Sequence, residues 1–360
     1  MQNDFTKGSI VNNILKLAAP MIVAQIVHVL YNIVDRIYIG MMPDNATLAM
    51  TGIGLTLPIV SIIIAFTNLF GMGGAPLSSI ARGKGDVEEA EAFMGNSFVL
   101  LIVFGIFLTI VGLIFKEPIL ILFGASSETL PYANDYITIY LIGSVFVMIG
   151  LGMNSFINAQ GFGKTGMITV LIGAIINIIL DPIFIFVLDM GVKGAAIATV
   201  ISQFISSIWI LLFLCGKKAI LRLKIKNFKL MESRVRRIVT LGFSGFVMAI
   251  TNSLVQVMCN ATLQLYGGDL YVGIMTVINS IREVVQLPVT GFTNAAQPVI
   301  GYNYGAHSYK RVRSAIKFTS IICVIYTLLA WGVLNLFPIF FIRIFNKDTL
   351  LISNGLPALR

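Results

Sequence analysis

Charge is what this sequence is shortest of. Acidic and basic residues make up 11% of its 360 positions, less than half the quarter typical of a soluble domain. That deficit excludes a soluble enzyme. The 57% hydrophobic content excludes a disordered chain. Cysteine is scarce as well. Cys215, Cys259 and Cys323 are odd in number, widely spaced and set in or beside apolar runs, which excludes a disulfide framework and a zinc site. They are expected to be small packing residues. The two histidines, His28 and His307, are too far apart to form a metal motif. The N-terminus lacks the basic, apolar, small-residue order of a cleaved signal. Residues 1–13 form a short polar leader, and the first apolar stretch is expected to be an uncleaved insertion signal.

What the chain does have is long apolar runs. A bilayer core needs about 20 mostly apolar residues per helix. Nine stretches qualify: 17–40, 48–76, 93–115, 132–158, 165–188, 193–215, 236–264, 270–299 and 314–338. A tenth begins near 350, and the sequence stops at Arg360. The expected fold class is an all-α polytopic membrane protein. With the N-terminus placed in the cytoplasm, eighteen Lys and Arg fall in inside segments: Lys7, Lys16, Arg82, Lys84, Lys164, nine between 217 and 237, and Lys310, Arg311, Arg313 and Lys317. Only Lys116, Lys193, Arg343 and Lys347 fall outside. This is a strong positive-inside bias. The net charge of +9 is therefore a topology signal, and no nucleic-acid partner is expected.

The chain also repeats itself. Residues 217–235 form a basic linker after six stretches. They divide the chain into a first lobe, 1–216, and an incomplete second lobe, 236–360, of three helices and the start of a fourth. Gly85 and Gly305, and Pro118 and Pro338, are each 220 residues apart. LAAPMIVAQ aligns loosely with LGFSGFVMA at an offset of 224. Six is even, so the copies insert in the same orientation, giving a parallel repeat of the kind many transporters use.

Polar residues inside the spans are the functional candidates. Gln25, His28, Asn32 and Asp35 share one face of the first span by their spacing of three and four. Asn252, Gln256, Asn260 and Gln264 recur every four residues in the seventh. Both stripes are candidate walls of a central substrate cavity; the alternative is that they glue helices together. Asn279, Arg282, Glu283 and Gln286 lie near the middle of the eighth span, and either a cavity or interhelical pairing would account for them. Counting 1.5 Å per residue sets Asp35 and Asp181 roughly 8–11 Å below the outer edge. Thr199 reaches the same depth, and Asn177 is one turn from Asp181. Intramembrane acids are costly and functional by default. Burial and a neighbouring acid favour the neutral form of a carboxyl group, which makes H⁺ one candidate coupling ion. Deprotonated, the same oxygens suit a hard cation such as Na⁺. A structural pair with Arg36 is disfavoured, because adjacent helix residues do not face each other. The 224 offset carries Asp35 onto Cys259, so the second half has no matching acid there.

Three motif matches fail on context. Residues 161–166, GFGKTG, satisfy G-x-G-x-x-G but follow a membrane helix instead of a strand. A P-loop would need glycine where Asn158 stands. Residues 83–86, GKGD, fall in a charged inside loop, away from the buried acids.

The stretches LAAPMIVAQIVHVLYNIVDRIYIG, NAQGFGKTG, NIILDPIFIF followed by GVKGAAIATVISQ, and QPVIGYNYGA resemble the multidrug and toxic compound extrusion (MATE) family, in its bacterial and archaeal branch. The resemblance covers nearly the whole chain. It implies a two-lobe bundle of twelve helices and export of bulky, often cationic drugs in antiport with H⁺ or Na⁺ by alternating access. It matches Asp35 and Asp181 to the family's acids, Asn177 and Thr199 to their polar partners, and Asn154 more weakly to the same cation site. Tyr140 joins the candidate cavity residues, where aromatic and methionine side chains would tolerate varied cargo. Neither a catalytic residue nor a cofactor is expected. The expected setting is the plasma membrane of a bacterium or archaeon, with the chain a monomer and the bilayer its other partner. The alternatives are a lipid-linked oligosaccharide flippase of the same superfamily, a membrane enzyme using the two acids, or an inactive carrier fragment.

Overall fold

The fold was analysed as a computed structural model that describes residues 5, 7–42, 45–345 and 349–359; side chains 260, 264, 269, 272, 344, 345, 349 and 351 lie outside the description. The described residues are almost entirely helical. In order they form α1 (Ile10–Gly40), α2 (Ala46–Gly83), α3 (Val87–Leu122), α4 (Leu130–Ile142), α5 (Ser144–Ala159), α6 (Gly163–Pro182), α7 (Gly191–Cys215), α8 (Glu232–Gly305), α9 (Tyr309–Leu336), α10 (Pro338–Phe345) and α11 (Thr349–Leu359). Among the described residues seven helices are long and apolar enough to cross a membrane, and a bent pair raises the number to eight. The chain is a multi-pass membrane protein.

Two differences from the sequence expectation have physical causes. The stretch 132–158 is not one helix. It is α4 and α5, bent by 56° at Gly143, where a Cβ would strike the side chain of Val200. The seventh and eighth stretches are separate helical limbs, as expected, within α8; they part at Gly268 with φ 63° and ψ −165°, a backbone region essentially reserved for glycine. The second limb is helical but is not among the sufficiently apolar spans. Its amides and hydroxyls, from Asn279 through Gln286, Thr290 and Asn294 to Gln297, dilute its hydropathy.

The polar segments are folded into the structure. The leader is tied down: Phe5 is 1% exposed. The Arg82 guanidinium lies 5.0 Å from the Phe5 ring and 4.8 Å from that of Tyr302. Arg311 donates to the Phe5 and Gly8 carbonyls at 3.1 Å each. These contacts join the start of the chain to the ends of α2 and α8 and the start of α9. The basic linker is docked as well. Gln160 Oε1 accepts from the Ile220 and Leu221 amides at 2.9 Å each. Glu91, 3% exposed, accepts from the Arg222 amide at 3.0 Å and from Lys224 Nζ at 2.7 Å. Asn96 donates to the Asn227 and Lys229 carbonyls and accepts from the Met231 amide. The links to Gln160, Glu91 and Asn96 replace water around buried polar groups.

The apolar packing falls into three clusters. The largest runs from Ile39 to Ile238 through α2, α3, α4, α5 and α7. A second joins the start of α1 to the end of α8 and to Ala315 of α9. The third packs the middle of α8 against Ile342 of α10.

Candidate functional site

Helix geometry brings the two acids together. Asp35 lies near the end of α1 and Asp181 near the end of α6, and α1 packs along α6. Their carboxyl groups meet within hydrogen-bonding distance of each other. Asn177, one turn before Asp181, donates from Nδ2 to Asp181 Oδ1 at 3.2 Å and to Thr199 Oγ1 of α7 at 3.4 Å. The expected quartet of Asp35, Asp181, Asn177 and Thr199 is thus one cluster. No ion pair among the described residues joins Arg36 to Asp35.

The cluster has spare acceptors. Asp35 Oδ1, Asp181 Oδ2 and Asn177 Oδ1 are buried with no hydrogen-bond partner. Unsatisfied buried oxygens cost on the order of 1–3 kcal/mol each. A proton shared between the carboxyls, or a cation among the oxygens, would relieve that cost. The oxygen set fits Na⁺ by donor type.

Two tyrosines flank the acids, and a third packs beside them. Tyr31 lies within electrostatic reach of both Asp35 and Asp181, and Tyr136 within reach of both acids and of Tyr31 and Tyr140. Tyr136 and Tyr140 stack with centroids 6.1 Å apart. Sequence reasoning placed Tyr140 in the cavity; the structure puts it outside the cavity lining, beside Tyr136 and Tyr31. Tyr31 and Tyr136 were missed altogether. Their signal was available, since Tyr31 precedes Asp35 by one turn and Tyr136 precedes Tyr140 by one.

A separate cavity of about 640 Å³ opens between α1, α2, α5, α6 and α8. Its size falls within the range of small-molecule sites. Gln25 and His28 line it, as the first-span stripe implied, whereas Asn32 does not. Asn154, matched to the cation site, lines this cavity instead and donates to the Gly166 carbonyl at 3.3 Å. Its Oδ1 and that of Asn158 are both without a partner. Methionines 21, 72, 167 and 248 supply apolar wall.

The α8 candidates divide. Asn252, Gln256, Arg282 and Glu283 are exposed, Asn279 is partly buried, and none of them lines the cavity. The side chains of Asn260 and Gln264 lie outside the described residues. With about 3.6 residues per turn, a strict four-residue stripe winds steadily around its helix. Only Met248 of the first limb reaches the cavity. The polar wall comes from the second limb: Gln286, Thr290, Thr293, Asn294 and Gln297. Of these only Gln286 had been singled out. The rest recur at three and four residues, a signal hidden by the attention that charge draws.

Comparison with known proteins fits this architecture. A family model described as MatE matches residues 20–183 and 244–359. The multidrug export protein MepA of Staphylococcus haemolyticus (strain JCSC1435) is 29% identical over 313 residues, spanning 87% of this chain and 68% of that protein. MepA of Staphylococcus aureus (strain NCTC 8325 / PS 47) is 27% identical over 313 residues, with the same two coverages. Among solved structures, MATE in the bent conformation superposes with a TM-score of 0.90 at 25% identity, covering 99% of this chain and 78% of that one. An outward-facing multidrug resistance MATE family transporter of the MOP superfamily gives 0.91 at 24% identity, covering 100% and 80%. A family model matched on both sides of the linker, over well more than half of the residues, shows that the chain belongs to the MatE family.

Proposed function

We propose that this protein is a multidrug exporter. It moves bulky, often cationic small molecules out of the cell in antiport with H⁺ or Na⁺. The observation that carries the reading is the junction of Asp35, Asp181, Asn177 and Thr199, with three unpartnered oxygens, a few turns from a cavity sized for a drug. The names of the MepA relatives support drugs as cargo. Among the described lining residues the cavity has no Lys or Arg, which argues against a pyrophosphate-linked lipid as cargo.

The proposed cycle alternates access between two lobes, residues 1–216 and 236–360, joined by the docked linker. From outside, a cation enters the acid pair and draws in the free oxygens of Asp35, Asp181 and Asn177. That favours one packing of α1 against α6 and α7. Because α1 also carries Gln25 and His28, the same repacking alters the cavity and loosens the drug, which leaves outward. The protein then turns inward, releases the cation and reloads. Such a cation drives transport only through its different affinity for the two packings.

The test is accumulation of a fluorescent cationic dye in efflux-deficient bacteria expressing either the natural chain or Asp35→Asn at matched membrane levels. The natural chain should lower accumulation and the variant should not. Equal export by the two would remove Asp35 from coupling.

A further inference from the structure

His28 is the only titratable side chain among the described residues that line the cavity. Everything else there is aliphatic, methionine, amide or hydroxyl. The acid pair lies elsewhere: Asp35 is seven residues further along α1, about 10 Å at the helical rise. Between them stands Tyr31, whose ring meets the imidazole edge-on at 5.1 Å and lies within electrostatic reach of both acids. From its own helix His28 therefore faces Tyr31. The described residues that α2, α5, α6 and α8 bring to the same cavity are all neutral, among them Asn68, Asn154, Asn158, Gln286 and Thr290.

The imidazole has a defined polar contact. Asn32 Nδ2 lies 2.8 Å from the His28 carbonyl and 3.3 Å from His28 Nδ1. An amide nitrogen only donates, so this contact is a hydrogen bond only while Nδ1 carries no proton. Adding a proton at Nδ1 would set two donors against each other. Asn32 would have to turn, and Asn32 stands three residues before Asp35 on the same helix.

We propose that His28 is a proton site inside the cargo cavity, distinct from the acid pair, where a bound proton and a bound organic cation exclude one another. The proposal rests on the reading of this cavity as a site for cationic cargo. Neutral His28 leaves the unpartnered Asn154 and Asn158 oxygens as acceptors for a positive guest. Imidazolium puts a like charge in the same space and ejects it. A neutral cargo of equal size would be indifferent. His28 thus sets which charge the cavity accepts at a given pH, and histidine is the side chain that changes charge in the physiological range.

The test uses the full chain in nanodiscs with tetraphenylphosphonium, whose charge does not depend on pH. Binding is measured by equilibrium dialysis at pH 5.5 and 8. The natural chain should bind it about tenfold more tightly at pH 8, and His28→Gln should bind it equally at both. A histidine-labelled sample gives a second readout, since the chain has two histidines and His28→Gln identifies the signal. By linkage that signal should titrate between pH 5.5 and 8, and its midpoint should move to lower pH by about one unit when the cation is about tenfold above its Kd, and further as the cation rises. If His28→Gln keeps the natural pH dependence, or the His28 signal stays constant over that range, the proposal fails. If Asp35→Asn alone flattens binding, the pH dependence belongs to the acid pair and the proposal fails while the coupling reading stands. If Asp35→Asn exports like the natural chain but His28→Gln flattens binding, the coupling reading fails and this one holds. Absence of tetraphenylphosphonium binding at both values would overturn the cationic-cargo reading and this proposal with it.

Discussion

At the scale of single residues, two buried amides do different jobs. Gln160, 0% exposed, holds the linker by accepting two backbone amides through one oxygen. Gln160→Ala leaves both donors unsatisfied, at about 1–3 kcal/mol. A lower melting temperature in detergent, with export by surviving protein retained, is the expected result; an unchanged melting temperature would show that water replaces the amide. Asn177 makes no such structural tie to a distant segment. It orients Asp181 and Thr199. Asn177→Ala is expected to reduce dye export at least tenfold while leaving membrane insertion and melting nearly unchanged, measured on the same preparations. A loss of folded protein matching the loss of export would instead make Asn177 a packing residue.

At the scale of helices, close approach depends on missing side chains. Gly73 of α2 faces Gly242 of α8. A Cβ on Gly73 would run into the Ile238 carbonyl and the Gly242 backbone, and one on Gly242 into the backbone of Leu69. Small residues let membrane helices touch through their backbones. Gly242→Leu should wedge α2 from α8 and cost about 1–3 kcal/mol, seen as a lower melting temperature; an unaltered one would mean the helices part freely here. How much was legible in the sequence follows the same line. The outer limits of the long spans were legible because hydrophobicity is a local property. The acid cluster was legible too, since depth along a helix follows from counting residues. The break at Gly268 falls in the gap expected between the seventh and eighth stretches, but the bend at Gly143 was not legible, because a glycine's role depends on what lies opposite it, here Val200. The cavity wall of α8 was misplaced for a related reason. Which face of a helix turns inward is decided by its neighbours, and a four-residue stripe fits no single face.

At the scale of the whole molecule, the basic segments gather at one end. Arg82 reaches Phe5, Tyr302 and, at 3.4 Å, the Ala159 carbonyl. Gln160 and Glu91 hold the linker, and Arg311 holds the leader. Lys193 stands apart from this group, paired with Asp135 at 3.4 Å at the other ends of the helices. The structure thus joins in space the segments whose Lys and Arg set the inside bias, but a fold alone does not say which end faces the cytoplasm. The charge asymmetry predicts that the basic end does, because basic loops resist translocation. Lys84 and Lys193 are both exposed, so each can report its side. In a background with Cys215, Cys259 and Cys323 replaced by serine, a membrane-impermeant maleimide applied to intact cells should label Lys193→Cys and spare Lys84→Cys until the cells are opened. The opposite pattern would invert the molecule and place the acid pair nearer the cytoplasm, so that the coupling ion would reach it from that side first.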